Sequence, residues 1–155
     1  MKERFSQAGV SLLEILFATA AVSLVLVAVL STIIGSLQNS RSSLEQAKAT
    51  QYSREVLEWL RQERDSIGWT AFAESMPVTG TQSYCLSSLP GTIGALTDMV
   101  GECEENQEIA NTIYTRSLEI TRTNVGQVDV EVTVSRPDST GTVTTRTNMT
   151  LAEWQ

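Results

Sequence analysis

Residues 9–37 read GVSLLEILFATAAVSLVLVAVLSTIIGSL, and the reading of this stretch decides how the rest of the chain is understood. From Ile15 to Ile34 it carries no charged residue, and about 20 apolar residues are enough to cross a bilayer core as a helix. Leu, Val and Ala occupy every face of such a helix, as a span requires, so it does not read as an amphipathic helix lying on a membrane surface. Ahead of it stands MKERFSQAG, residues 1–9, short and polar with Lys2 and Arg4. Positive residues on that side predict a cytoplasmic N-terminus and an extracytoplasmic remainder.

Three readings of the segment compete. A secretory signal peptide has an apolar core of roughly 7–15 residues followed by a small-residue cleavage site. Ala18-Thr19-Ala20 has those residue types, but the apolar run continues past it to Ile34. An uncleaved signal anchor accounts for the length and leaves Glu14 without a purpose. A carboxylate in a membrane helix costs roughly 2.5–3.5 kcal/mol at the bilayer centre, less near the interface, and usually marks a specific partner. The segment holds no Lys or Arg to pair with it. Under the third reading the chain is cut after Gly9, which creates an α-amino group at Val10, one helical turn from Glu14. That amine on a neighbouring subunit is a natural counter-ion, and the pairing fixes the axial stagger between the two.

Gly9 followed by Val10-Ser11-Leu12-Leu13-Glu14 resembles the processing site of the type IV pilin and pseudopilin family: a glycine, a hydrophobic residue, then a glutamate in fifth place of the mature chain. The short charged leader and the long apolar helix match as well, and SLLE before an apolar helix is most similar to minor pilins and minor type II secretion pseudopilins. The resemblance implies cleavage between Gly9 and Val10 by a membrane prepilin peptidase that also methylates the new terminus, with Glu14 as the assembly carboxylate. It further implies other pilin subunits, an inner-membrane assembly platform and membrane lipid as partners. Localisation follows: one pass through the cytoplasmic membrane, an extracytoplasmic head, and a surface or periplasmic filament after assembly. Two positions depart from the family pattern. Val10 stands where phenylalanine is commonest, and Ser31 stands where many major pilins carry proline; no proline occurs before Pro77. An unkinked helix fits a minor subunit better than a major one.

Composition narrows the function classes. The 155 residues carry a formal net charge of −7 with no histidine, and no Lys/Arg cluster follows residue 5. The charge argues against a general basic surface for nucleic acid, and the commonest general base and zinc ligand are missing. Two cysteines, Cys85 and Cys103, are too few for a four-thiolate zinc site and are not a Cys-x-x-Cys redox pair. No cofactor is expected, and the chain does not read as an enzyme. Paired, the cysteines close a loop of about 19 residues, worth on the order of 3 kcal/mol through unfolded-state entropy. An extracytoplasmic head allows the bridge; a reducing compartment would leave two free thiols.

The helix is expected to continue, because no proline interrupts residues 35–66 and strong helix formers dominate the second half. Gly35-Ser36 and Asn39-Ser40 are places for a bend or local melting. Beyond them Ala49, Tyr52, Val56, Trp59 and Leu60 share one side at helical spacing, with Arg54, Glu58 and Arg61 on the other and Arg54 and Glu58 at i,i+4. The stripe reads as a core face and not as a ligand box. Gly68 is a helix stop, and Trp69 and Phe72 begin the head.

Residues 73–111 read as irregular, punctuated by Pro77, Gly80, Pro90, Gly91, Gly94 and Gly101, with short strand-like pieces such as 83–86. Asp98, Glu102, Glu104, Glu105 and Glu108 make part of it acidic, but the spacing of an EF-hand loop is absent, so a solvated loop is the better reading than a calcium site. In residues 128–134 valines alternate strictly with polar residues, as in a half-buried strand. Tyr114 to Arg122 and Val143 to Leu151 alternate more loosely, and 124–126 and 137–141 are hairpin-sized connections. A three-stranded antiparallel meander is expected, covered by the Tyr52/Val56/Trp59 stripe, with Trp154 sealing an edge. Asn148-Met149-Thr150 is a formal glycosylation sequon, too short a motif to carry a function.

The fold class expected is α+β: a long N-terminal helix, its first half transmembrane, against a small antiparallel sheet. The organisation is leader 1–9, membrane or filament-core helix 10–35, helix extension 36–67 and globular head 68–155. The function expected is that of a non-catalytic minor pilin-like subunit. Its alternatives are a type II secretion pseudopilin and an anchored extracytoplasmic binding protein that never polymerises.

Overall fold

A computed structural model describes residues 12–77, 80–104, 106–124, 126–138 and 141–153. The leader, the cut expected between Gly9 and Val10, and Trp154 lie outside these residues.

The chain forms α1 (Leu12–Ile67), α2 (Trp69–Glu74), β1 (Gly80–Cys85), a 3₁₀ helix (Ile93–Met99), β2 (Thr115–Asn124), β3 (Gln127–Asp138) and β4 (Gly141–Ala152). The α+β layout expected is the one observed: a long N-terminal apolar helix and an antiparallel sheet. Helix α1 is uninterrupted at Gly35-Ser36 and Asn39-Ser40. One glycine costs only about 1 kcal/mol relative to alanine, and strong formers on both sides absorb it. The helix ends at Gly68, whose φ of 81° is free to a residue without a side chain, and whose N–H donates to the Arg64 carbonyl at 2.9 Å.

Two compact units divide the chain, residues 1–43 and residues 44–155. The described part of the first is helix throughout, with every side chain exposed. The second holds α1 from Leu44 onward, α2 and the sheet.

The sheet has four strands in the order β1-β2-β3-β4, each antiparallel to its neighbour. This corrects the three-stranded expectation. Residues 80–85 pair with 117–122, Tyr84 opposite Leu118, so part of the stretch read as irregular is an edge strand, and another part is the 3₁₀ helix. Tyr84 is the one large apolar side chain in β1 (GTQSYC), too little alternation to be read without its neighbour. The β2–β3 connection is tight: Asn124 pairs with Gln127, and the Asn124 side-chain oxygen accepts the Gly126 N–H at 3.0 Å.

Alternation behaves as the valines predict. Val128, Val130, Val132 and Val134 are all buried on the inner face, with Leu118 and Ile120 beside them. Against this face lie Val56 and Leu60 from α1, Phe72 from α2 and Leu86, none of them with measurable exposure. Ala49 is buried too, while Tyr52 and Trp59 pack at the margin. The polar side of α1 pairs differently from expectation: Glu58 bonds Arg61 at 2.6 Å, three residues on, instead of Arg54. Both geometries bring side chains together on a helix, and the choice between them is worth only a few tenths of a kcal/mol.

Candidate functional site

The first candidate is the exposed apolar part of α1. It is the one helix among the described residues long and apolar enough to cross a membrane. Leu12, Phe17 and Leu24 are each more than two-thirds exposed. What matters chemically is how the polar groups in it are treated. Between Ile15 and Ile34 the hydroxyl side chains are Thr19, Ser23, Ser31 and Thr32. Each donates back to a carbonyl of its own helix, to Leu16, Thr19, Val27 and Val29 respectively, at 2.8–3.0 Å. A segment surrounded by hydrocarbon needs this internal satisfaction, because no water is there to replace it. Glu14, in the first turn, is the exception. No cation among the described residues pairs with it.

The second candidate is the seat of α1 in the head, and sequence reasoning missed its chief residue. Arg116 lies on the inner face of β2 in line with Tyr114, Leu118 and Ile120, and is buried to 2% exposure. Its guanidinium donates to the Leu86 carbonyl at 3.2 Å, the Tyr52 carbonyl at 3.3 Å and a Glu55 carboxylate oxygen at 3.3 Å. Burial pushes its pKa down and Glu55 pulls it back up, and an arginine starts so high that it stays charged. The signal was available: counting by twos from Leu118 places an arginine at a core position.

Tyr114 and Arg136 hold the helix further toward Leu44. The Tyr114 hydroxyl donates to the Glu45 carbonyl at 3.3 Å, its ring packs 5.3 Å from that of Tyr52, and Arg136 meets the Glu45 carboxylate at 2.8 Å. Burial raises the Tyr114 pKa, and the Glu45 carboxylate adds to the rise. At the other end Arg122 donates to the Ala73 carbonyl at 2.7 Å, tying β2 to α2. These contacts make a mount that ties the helix from Glu45 to Glu55 to the sheet.

The third feature is the bridge between Cys85 and Cys103, with Cα atoms 4.9 Å apart. It clips residues 100–103 along the outer edge of β1. Val100 forms a β-bridge with Tyr84, and the Gly101 N–H donates to the Ser83 carbonyl at 2.9 Å. Glu63 of α1 accepts the Ile93 N–H at 2.9 Å, so the start of the 3₁₀ helix is anchored to the same mount. Asp98, Glu102, Glu104 and Glu108 do not gather into a group able to hold a metal ion among the described residues, and Glu105 lies outside them. Asn148 of the sequon is exposed in the middle of β4.

Compared with models of known protein families, with curated proteins and with solved structures, the chain matches none.

Proposed function

We propose that this chain is a non-catalytic structural subunit of the type IV pilin and pseudopilin class, cut after Gly9 and added to a filament through its N-terminal helix. One observation carries the reading: Glu14 is the sole charge between Leu12 and Ile34 of α1, where the hydroxyls of Thr19, Ser23, Ser31 and Thr32 are all bonded to the helix itself. In lipid that carboxylate is a liability. Among neighbouring helices, each supplying the α-amino group of Val10, it becomes a joint. The filament replaces lipid around the helix with other helices, and the charge is tolerated only where an amine meets it.

Further support comes from the head. A sheet with valine-lined interior, a buried arginine holding α1 and a disulfide across a loop describe a small, stiff outer surface. A disulfide persists in extracytoplasmic surroundings, which fits the orientation given by Lys2 and Arg4. Partners on this reading are other subunits of the class, a prepilin peptidase, a membrane platform and lipid.

The processing step is tested by expressing the full chain with an active prepilin peptidase and measuring intact mass. Residues 1–9 should be lost, and Gly9→Ala should block the loss. Retention of Met1 beside active peptidase overturns the reading and leaves an anchored binding protein in its place.

A further inference from the structure

From Leu44 onward α1 turns Ala49, Val56 and Leu60 toward the sheet, where they are buried. Off that face stand Arg54, Glu58, Arg61 and Asp65, all exposed. Arg54 and Arg61 are seven residues apart, and so are Glu58 and Asp65. Seven residues make nearly two helical turns, so the arginines form one stripe along the helix and the carboxylates another beside it. The chain itself leaves these charges incompletely matched. No hydrogen bond or ion pair joins Arg54 to a described residue; Glu58 turns instead to Arg61 at 2.6 Å, and Asp65 meets Arg64. Even so, the side chains of Glu58 and Asp65 stay 66% and 62% exposed, and a carboxylate accepts from more than one cation.

The spacing of these stripes repeats an offset found elsewhere in the chain. In the filament reading the α-amino group of Val10 on one subunit meets Glu14 of the next, four residues further along, or about 6 Å on a helix axis. Residues 44–67, counted separately, favour the same offset for two parallel copies. A shift of four brings Arg54 level with Glu58 and Arg61 level with Asp65, and brings no like charges together. A shift of three matches Glu45 with Lys48 and Glu58 with Arg61, but also sets Glu55 against Glu58 and Arg61 against Arg64. A shift of five makes no opposite pair and sets Glu58 against Glu63. Arg41 and Glu45 share the four-residue spacing, but Glu45 is already held by Arg136 of β3.

We propose that these stripes are a contact between two copies of this chain, their α1 helices parallel and staggered by four residues, with Arg54 of one copy on Glu58 of the next and Arg61 on Asp65. The occupant is a second copy because the cation stripe and the carboxylate stripe lie on one helix, at the offset that Glu14 requires for its own amine. The two stripes are different surfaces, so the contact is heterologous and repeats, as an open filament demands. The bonds of Glu58 to Arg61 and of Asp65 to Arg64 within each helix tie the new pairs into networks. The proposal rests on the filament reading and adds a second, water-exposed joint to it.

The test uses full chains in cells that carry an active prepilin peptidase and assembly platform, and compares membrane with sheared-filament fractions. Arg54→Glu should lower incorporation by about fivefold or more, and Glu58→Arg by a similar factor, with membrane insertion unchanged. Expressing the two altered chains together should return incorporation to within about twofold of wild type, because the reversed charges then meet across the contact. Pairing within one helix gives no such rescue between chains. Independently, Arg54→Cys in one chain and Glu58→Cys in a differently tagged chain should be joined in filaments by a short bis-maleimide. Their yield should exceed by about fivefold that of Arg54→Cys with Gln62→Cys, one helical turn further on. Where a charge reversal disturbs the head, the cysteine pair gives the same answer. Unaltered incorporation of Arg54→Glu, no rescue between chains, or equal crosslinking at both spacings overturns the proposal. So does crosslinking to a different protein in place of a second copy. In each of these cases wild-type chain in the sheared filaments leaves the filament reading standing, whereas its absence there removes both.

Discussion

Arg116 is buried and carries three obligations, to the Leu86 and Tyr52 carbonyls and to Glu55. A buried ion pair is not in itself a large stabiliser, because desolvation offsets most of the attraction. Glu55 keeps 42% of its side-chain surface exposed, so its share is screened. The cost of losing the arginine lies elsewhere, in the vacated volume and in the Leu86 carbonyl left without this donor, while the Tyr52 carbonyl keeps its place in the α1 ladder. Arg116→Ala should therefore destabilise the head by about 3 kcal/mol. Arg116→Met, which refills the space, should cost clearly less. Denaturant midpoints of the two variants check this, and equal losses would mean that the hydrogen bonds dominate over packing. The position was legible by alternation along β2, but its partners were not, since they come from residues 52, 55 and 86.

At the scale of elements, the disulfide is a clip for a sheet edge. Its cysteines are 18 positions apart, and a loop of that size is worth about 3 kcal/mol by chain entropy. Replacing both cysteines by serine should lower stability by that order and, more diagnostically, raise amide exchange at Gly101 while leaving β3 protected. Unchanged exchange at Gly101 would show that the β-bridge between Tyr84 and Val100 holds the loop unaided. Helix α1 shows the opposite economy. Its continuity past Gly35 comes with every described side chain up to Ser43 exposed, so it rests on local helix propensity and not on packing. That continuity was readable residue by residue, whereas β1 became visible only once β2 lay beside it.

Across the whole molecule, the assembly we propose turns on Glu14, the one carboxylate between Leu12 and Ile34 of α1. Glu14→Ala removes the charge and makes the span more apolar, so insertion into the membrane should be unaffected or improved. On the proposed function, incorporation into filaments should fall steeply, because the carboxylate that would meet the neighbouring terminus is gone. Comparing membrane and sheared-filament fractions of cells that express wild type or variant separates the two effects. Equal incorporation would assign Glu14 another purpose. Reduced insertion would mean instead that the carboxylate acts before assembly.

Gly9, Glu14 and the uncharged run from Ile15 to Ile34 speak through one-dimensional spacing, and so does the valine alternation of β3. These features depend on local periodicity and on solvent, so they determined the apolar helix, the sheet face and the expected processing site without any coordinates. The fourth strand, the Arg116 mount and the loop clipped to the end of β1 depend on residues far apart in the chain. Their free energies come from pairing and burial, which exist only after the chain has closed on itself. The tertiary structure alone decided them.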